Sequence, residues 1–102
     1  MIVTTTPTVE GRPVKDYLGI VTGEAVMTGT LDDLGAALAN LGKGRGYVSE
    51  RRLFEAHQIA VRKMCDRAKE MGASAVVGVH FDHETGPAGT MVIASGTAVV
   101  IP

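Results

Sequence analysis

The spacing of apolar residues changes at Gly72 from a helical period to an extended one, and this change constrains the fold most strongly. Over residues 49–71, which begin with Ser49 as a suitable N-cap, apolar side chains recur every three or four positions. Over residues 75–84 and 91–101 they recur every second position, and a turn rich in Gly and Pro separates these two segments. A long helix followed by two strands predicts an α+β fold.

The remaining segments add two strands and a second helix to this prediction. Residues 1–5 and 17–28 have the β-branched, alternating character of strands, and Pro7 ends the first of them. Thr30 and Asp33 resemble a capping box, so a shorter helix is expected over residues 30–41, before Gly42. At 102 residues the chain forms a single domain, 1–102. We expect a mainly antiparallel sheet packed, in two layers, against one long and one shorter helix.

Two apolar features predict contact with other subunits. The long helix has one apolar side, comprising Leu53, Phe54, His57, Ala60, Val61, Met64, Cys65, Ala68 and Met71. Its opposite side is charged, but Ile59 lies in the middle of it. Both faces of the strand over 91–101 are apolar, although the sheet of a two-layer domain normally has one polar face. The second face and Ile59 are therefore predicted to contact other copies of the chain.

Composition excludes several classes of protein. The single Cys65 rules out an internal disulfide framework and a zinc site with several thiolates from one chain. No segment approaches the roughly 18 apolar residues that span a bilayer. Residues 1–7 lack the basic and apolar regions of a secretion signal. A cytoplasmic protein with no membrane partner is expected.

The charge pattern does not favour a nucleic-acid partner. Residues 43–69 carry eight basic and three acidic side chains, whereas the whole chain has a net charge of −1. The basic residues alternate with acidic ones, and no aromatic platform accompanies them. We interpret this segment as a solvated helix face. Its expected ion-pair partners in other subunits are Asp16, Glu24, Asp32 and Asp33.

The candidate metal ligands cluster near the end of the first hairpin strand. On a strand, His80, Asp82 and Glu84 share one face, whereas His83 points to the other. Imidazole and carboxylate ligands suit zinc or another divalent ion of similar character. The simpler interpretation is a polar strand end that leads into a turn.

Two further candidates, His57 and Cys65, lie on the apolar side of the long helix. They are eight residues apart, or about 12 Å of helix rise, so they cannot form a Cys–His nucleophile pair within one chain. We expect Cys65 to be a small buried residue and His57 a core or interface histidine with one hydrogen bond. Either could become a metal ligand only for a neighbouring subunit.

Nothing in the sequence indicates catalysis. No serine lies in a Gly-x-Ser-x-Gly elbow, and the Gly-rich residues 42–46 lack the pattern of a phosphate-binding loop. An enzyme is therefore the less favoured interpretation.

Three stretches, residues 17–27, 71–79 and 94–100, resemble the YbjQ-like family, uncharacterised bacterial and archaeal proteins whose label refers to heavy-metal binding. The resemblance covers essentially the whole chain. It implies a two-layer α+β subunit, similar to that of dodecin, that assembles into a homopentameric ring. Residues 29–49 are shorter and richer in Ala than in the family, and His83 replaces the usual Tyr, so a ligand role for His83 is not implied.

Three functional hypotheses follow. The first is a homo-oligomeric module that binds a heavy metal such as zinc, or a small ligand, at subunit interfaces. The others are an enzyme with a site between subunits, and a structural or nucleic-acid-associated assembly. Because one strand face supplies few ligand directions, a metal site is expected to need donors from more than one subunit.

Overall fold

The computed structural model describes residues 1–27, 50–87 and 89–102. These residues form strands β1 (Ile2–Val3), β2 (Asp16–Met27), β3 (Ala75–Gly86) and β4 (Gly89–Val100), and helix α1 (Glu50–Glu70). The sheet order is β1-β3-β4-β2; β1 is parallel to β3, and the other neighbours are antiparallel. The predicted α+β fold, with a mainly antiparallel sheet, is confirmed. The predicted shorter helix lies outside the described residues.

Gly72 ends α1 in a Schellman motif, as the sequence predicts. Its φ angle of 91° lies in the left-handed region that glycine tolerates best. Its N–H donates to the carbonyl of Lys69, and the N–H of Ala73 donates to the carbonyl of Ala68. These bonds satisfy carbonyl groups at the helix end and direct the chain into β3. In the described part of the chain, no helix is long and apolar enough to cross a membrane.

Helix α1 packs on one face of the sheet through three alanines and one methionine. Its fully or nearly fully buried residues are Ala56, Ala60, Met64 and Ala68, spaced four apart. Opposite them, Gly23 of β2 lies against the helix backbone, where an added Cβ would overlap the carbonyl oxygen of Ala60. Phe54 is 63% exposed, so its predicted place in the buried side of the helix is wrong. The row of three alanines and Met64 faces the sheet, whereas Phe54 does not.

Two bulges determine which strand residues face the helix. The pairing of β2 with β4 shifts between Tyr17 and Gly19, and Leu18 packs in the helix-side core together with Val21. The strict alternation predicted over residues 17–28 would place Leu18 and Val21 on opposite faces, and it is wrong here because the bulge adds one residue. A second shift in β3, between Val77 and His80, includes Gly78 with φ 62°.

The N-terminal segment covers one end of the other sheet face. Ile2, Val9 and Val14 pack against a second buried cluster, which consists of Ala75, Val77, Val99 and Ile101. The N–H groups of Gly78 and Val79 donate to the carbonyls of Thr6 and Thr4. At this end of the sheet the chain's own N-terminal segment covers the face, and contact with another subunit stays a prediction for the rest of it.

Arg67 links α1 by hydrogen bonds to β2, which is an edge strand of the sheet. Its guanidinium donates to both carboxylate oxygens of Glu24 at 3.0 Å and to the carbonyl of Thr22 at 2.8 Å. The hydrogen bonds and positive charge of Arg67 hold the pKa of the Glu24 carboxyl below its ordinary value. Glu24 was expected to meet the basic helix of another subunit, but it pairs with the helix of its own chain.

We predict that Gly23→Ala lowers the free energy of unfolding by at least about 3 kcal/mol, because the new methyl group must push α1 off the sheet. Gly86→Ala is the matched control: it adds the same methyl group to a strand, where the new Cβ meets no atom of the described residues within 4 Å, apart from its own chain neighbours. It should change stability by less than about 0.5 kcal/mol. Urea unfolding of both variants measures the difference, and equal effects would contradict the close helix–sheet contact.

A second prediction concerns pH. Because the pKa of Glu24 is lowered by folding, its pairing with Arg67 stabilises the fold fully above the pKa that Glu24 has in the unfolded chain. This contribution disappears as the pH falls through the lowered pKa of the folded state. Wild type should therefore be more stable than Glu24→Gln at neutral pH, and the difference should shrink as the pH falls. Urea unfolding from pH 7 to pH 3 measures it, and a pH-independent difference would contradict the assignment.

Candidate functional site

The candidate metal ligands lie on both faces of β3. Residues paired directly across antiparallel strands share a face, and His80, Asp82 and Glu84 pair with Ser95, Ile93 and Met91. They therefore lie on the sheet face away from α1, which we call the outer face. Its members are Ile20, Thr22, Glu24 and Val26 of β2, His80, Asp82 and Glu84 of β3, and Met91, Ile93, Ser95 and Thr97 of β4.

On the outer face, His80 and Asp82 form a close pair of potential metal ligands. His80 Nε2 lies 3.4 Å from Asp82 Oδ1, and the two side chains are 71% and 63% exposed. The sequence predicted that these residues share a face with Glu84, and the register agrees. Among the described residues, no group of three or more His, Cys, Asp or Glu side chains converges as in a closed metal site.

The outer face also exposes two large aliphatic side chains. Ile20 is 82% exposed and Val26 is 61% exposed, and both belong to the edge strand β2. An open cavity of about 270 Å³ beside Val26 is lined by Glu84, Thr85 and Met91, among others. This face therefore combines exposed aliphatic side chains with oxygen and nitrogen donors.

His83 lies on the opposite side of β3, toward α1, where it meets His57. The two Nε2 atoms are 3.0 Å apart, and the ring planes are inclined at 62°, with centroids 4.9 Å apart. His57 Nδ1 lies 2.7 Å from the carbonyl oxygen of Leu53, and its ring packs edge-on against Phe81. The sequence named both histidines but did not bring them together. Two features of the sequence could have indicated this contact. Alternation along the strand places His83 on the face opposite to His80, and His57 lies on the apolar side of the helix, which packs on the sheet.

Cys65 lies half-buried on α1. Burial raises the pKa of its thiol above the ordinary value, which disfavours the thiolate that metals bind. Ile59 remains partly exposed and, together with Arg52 and Glu55 of α1 and Val26 of β2, lines an open cavity of about 180 Å³.

Comparison with known proteins identifies the family. A family model described as "Putative heavy-metal-binding" matches residues 1–102. The chain belongs to the YbjQ-like family. It is 50% identical to the UPF0145 protein BH1111 of Halalkalibacterium halodurans, over 97% of this chain and 94% of that one. It is 48% identical to the UPF0145 protein lwe0170 of Listeria welshimeri, over 99% and 96% of the two chains.

A solved structure supports the fold of this YbjQ-like chain. A protein of unknown function from Pediococcus pentosaceus, assigned to the DUF74 family, superposes with a TM-score of 0.68. The match covers 100% of this chain and 98% of that chain at 17% sequence identity. The similarity supports the α+β architecture.

Proposed function

We propose that this protein is a homo-oligomeric module that binds a divalent metal ion such as zinc where copies of the chain meet. The observation that carries this proposal is the outer face, where the His80–Asp82 pair lies beside the exposed aliphatic residues Ile20 and Val26. Apolar side chains exposed to this extent on a sheet face favour contact with another protein surface. The description of the family supports a metal as the ligand.

One chain contributes too few donors to the outer face to complete a zinc site. A structural zinc ion takes four ligands, and His80 and Asp82 supply two that point the same way, with Glu84 one step further along β3. A symmetric assembly would bring the same donors of other copies into range. A homopentameric ring of dodecin-like, two-layer subunits is the arrangement we propose.

The basic face of α1 does not favour the alternative of a nucleic-acid-associated assembly. Arg67 is engaged with Glu24, and Arg51 pairs with Glu55 at 3.3 Å. Such pairs reduce the positive potential that phosphates require. An enzyme with a site between subunits would need a nucleophile or an acid–base pair at the interface, and the His80–Asp82 pair is more readily explained as a ligand pair.

We predict that multi-angle light scattering finds a particle of about five subunits for wild type at micromolar concentration. Ile20→Glu should give mainly monomers, because assembly would bury a charge that has no partner. Ile59→Glu should do the same if the helix face also contributes to the contact.

His80→Ala/Asp82→Ala should keep the oligomer but weaken zinc binding, measured by calorimetry, at least about tenfold.

Thr22→Ala is the matched control, since it changes the same outer face without removing a donor of the pair or adding charge. Wild type that remains monomeric with and without zinc would contradict the assembly. Zinc binding that is equal in wild type and in the double variant would contradict the metal site.

A further inference from the structure

We propose that His57 and His83 form a second metal site, contained within one chain, that takes a late first-row transition ion of the Cu(II) and Ni(II) class. The site goes beyond the proposed function because it lies on the helix side of the sheet and needs no second copy. Three observations carry it: the positions of the two nitrogens, the orientation of His57, and the rigid elements that hold both rings.

The two nitrogens have the separation of a chelating pair, and a tilt of each ring away from the line that joins them would direct both lone pairs at one ion. With metal–nitrogen bonds of about 2.0–2.1 Å, nitrogens 3.0 Å apart subtend an angle of about 91–97° at the ion. A tetrahedral ion requires an angle near 109°, whereas tetragonal ions require one near 90°. Tetragonal coordination by nitrogen and oxygen is typical of Cu(II) and Ni(II), and Cu(II) also binds nitrogen most strongly among divalent first-row ions.

The orientation of His57 is fixed by a hydrogen bond of the kind that metal-ligating histidines make. Its Nδ1–H donates to the carbonyl of Leu53, since that oxygen can only accept. The neutral ring therefore presents a lone pair on Nε2, directed at His83. Outer partners of this kind set the tautomer of a ligating histidine and increase its basicity.

His83 can change from a hydrogen-bond donor to a metal ligand by a change of tautomer, without a change in charge. In the ion-free protein its Nε2–H donates to His57 Nε2, because one of the two nitrogens must carry the proton. When an ion binds, His83 carries its proton on Nδ1, which frees Nε2 to coordinate. Both imidazoles then bind the ion as neutral ligands.

Both ligands belong to regular structure. The bulge at Gly78 sets the face on which β3 places Phe81 and His83, and helix α1 carries His57. Phe81 packs edge-on against His57, with ring centroids 4.8 Å apart. Side chains held on a helix and a strand keep their separation better than side chains on loops. His83 is exposed, so water can occupy the other coordination positions.

The test is titration of Cu(II) into the full-length protein, followed by electron paramagnetic resonance and calorimetry. We expect one ion per chain with hyperfine structure from two nitrogens. His83→Ala should reduce this to the pattern of one nitrogen or none and weaken binding at least about tenfold. His83→Gln, which keeps a hydrogen-bond donor, should lose the signal equally. Ni(II), which does not oxidise Cys65, should give the same ranking of variants by calorimetry.

His83 is exposed on a strand, so its variants should fold, and circular dichroism verifies this. His57→Ala tests the second ligand. Gln58→Ala, next to His57 on an exposed part of α1, is the matched control and should bind like wild type. A Cu(II) concentration a hundredfold above the dissociation constant should raise the Tm of wild type by at least about 5 °C, and that of His83→Ala by much less.

The variant His80→Ala/Asp82→Ala separates this proposal from the proposed function. If the two sites are independent, it loses zinc at the outer face but keeps the two-nitrogen copper signal. A copper signal that is unchanged in His57→Ala and His83→Ala would overturn the His57–His83 site, and would leave the outer-face site to be judged by its own variants. Loss of the two-nitrogen signal in His80→Ala/Asp82→Ala would also overturn it.

Discussion

The contact between the backbone of α1 and Gly23 of β2 is the constraint on which the other contacts depend. With no side chain at Gly23, the helix approaches the sheet until the carbonyl of Ala60 meets the strand. At this short distance Arg67 can reach around the edge of β2 to Glu24, and His57 can reach across to β3. A bulkier residue at either side would separate the layers and break both connections.

The bulge in β3 determines which side chains, and so which potential ligands, lie on each face of the sheet. Before the bulge, Ala75 and Val77 face the N-terminal segment; after it, Val79 and Phe81 face α1. The same shift sends His80 and Asp82 to the outer face and His83 to the helix side. The polar end of β3 thus supplies both members of the outer pair, His80 and Asp82, but only His83 of the inner pair, since His57 belongs to α1. The outer pair lies on a surface suited to contact between copies, whereas the inner pair is complete within one chain.

Much of this architecture follows from the sequence, because it depends on local periodicity and on glycine. The helix, its end at Gly72 and the alternation of His80, Asp82 and Glu84 are all local properties. The face on which Leu18 lies does not follow from the local pattern. The bulge changes which residues of β2 share a face without any change in the hydrophobicity of the residues around it. The burial of Ala56 in place of Phe54 depends on the rotation of α1 against the sheet. The His57–His83 contact depends on that rotation and on the bulge together. The assembly into a ring stays a prediction.

Anomalous X-ray diffraction from crystals soaked with Cu(II) tests most directly whether the packing of α1 on the sheet brings His57 and His83 together as a metal-ligand pair within one chain. We expect a copper peak about 2.0–2.1 Å from Nε2 of both His57 and His83. A peak only elsewhere on the protein, with the two nitrogens still hydrogen-bonded to each other, would contradict it.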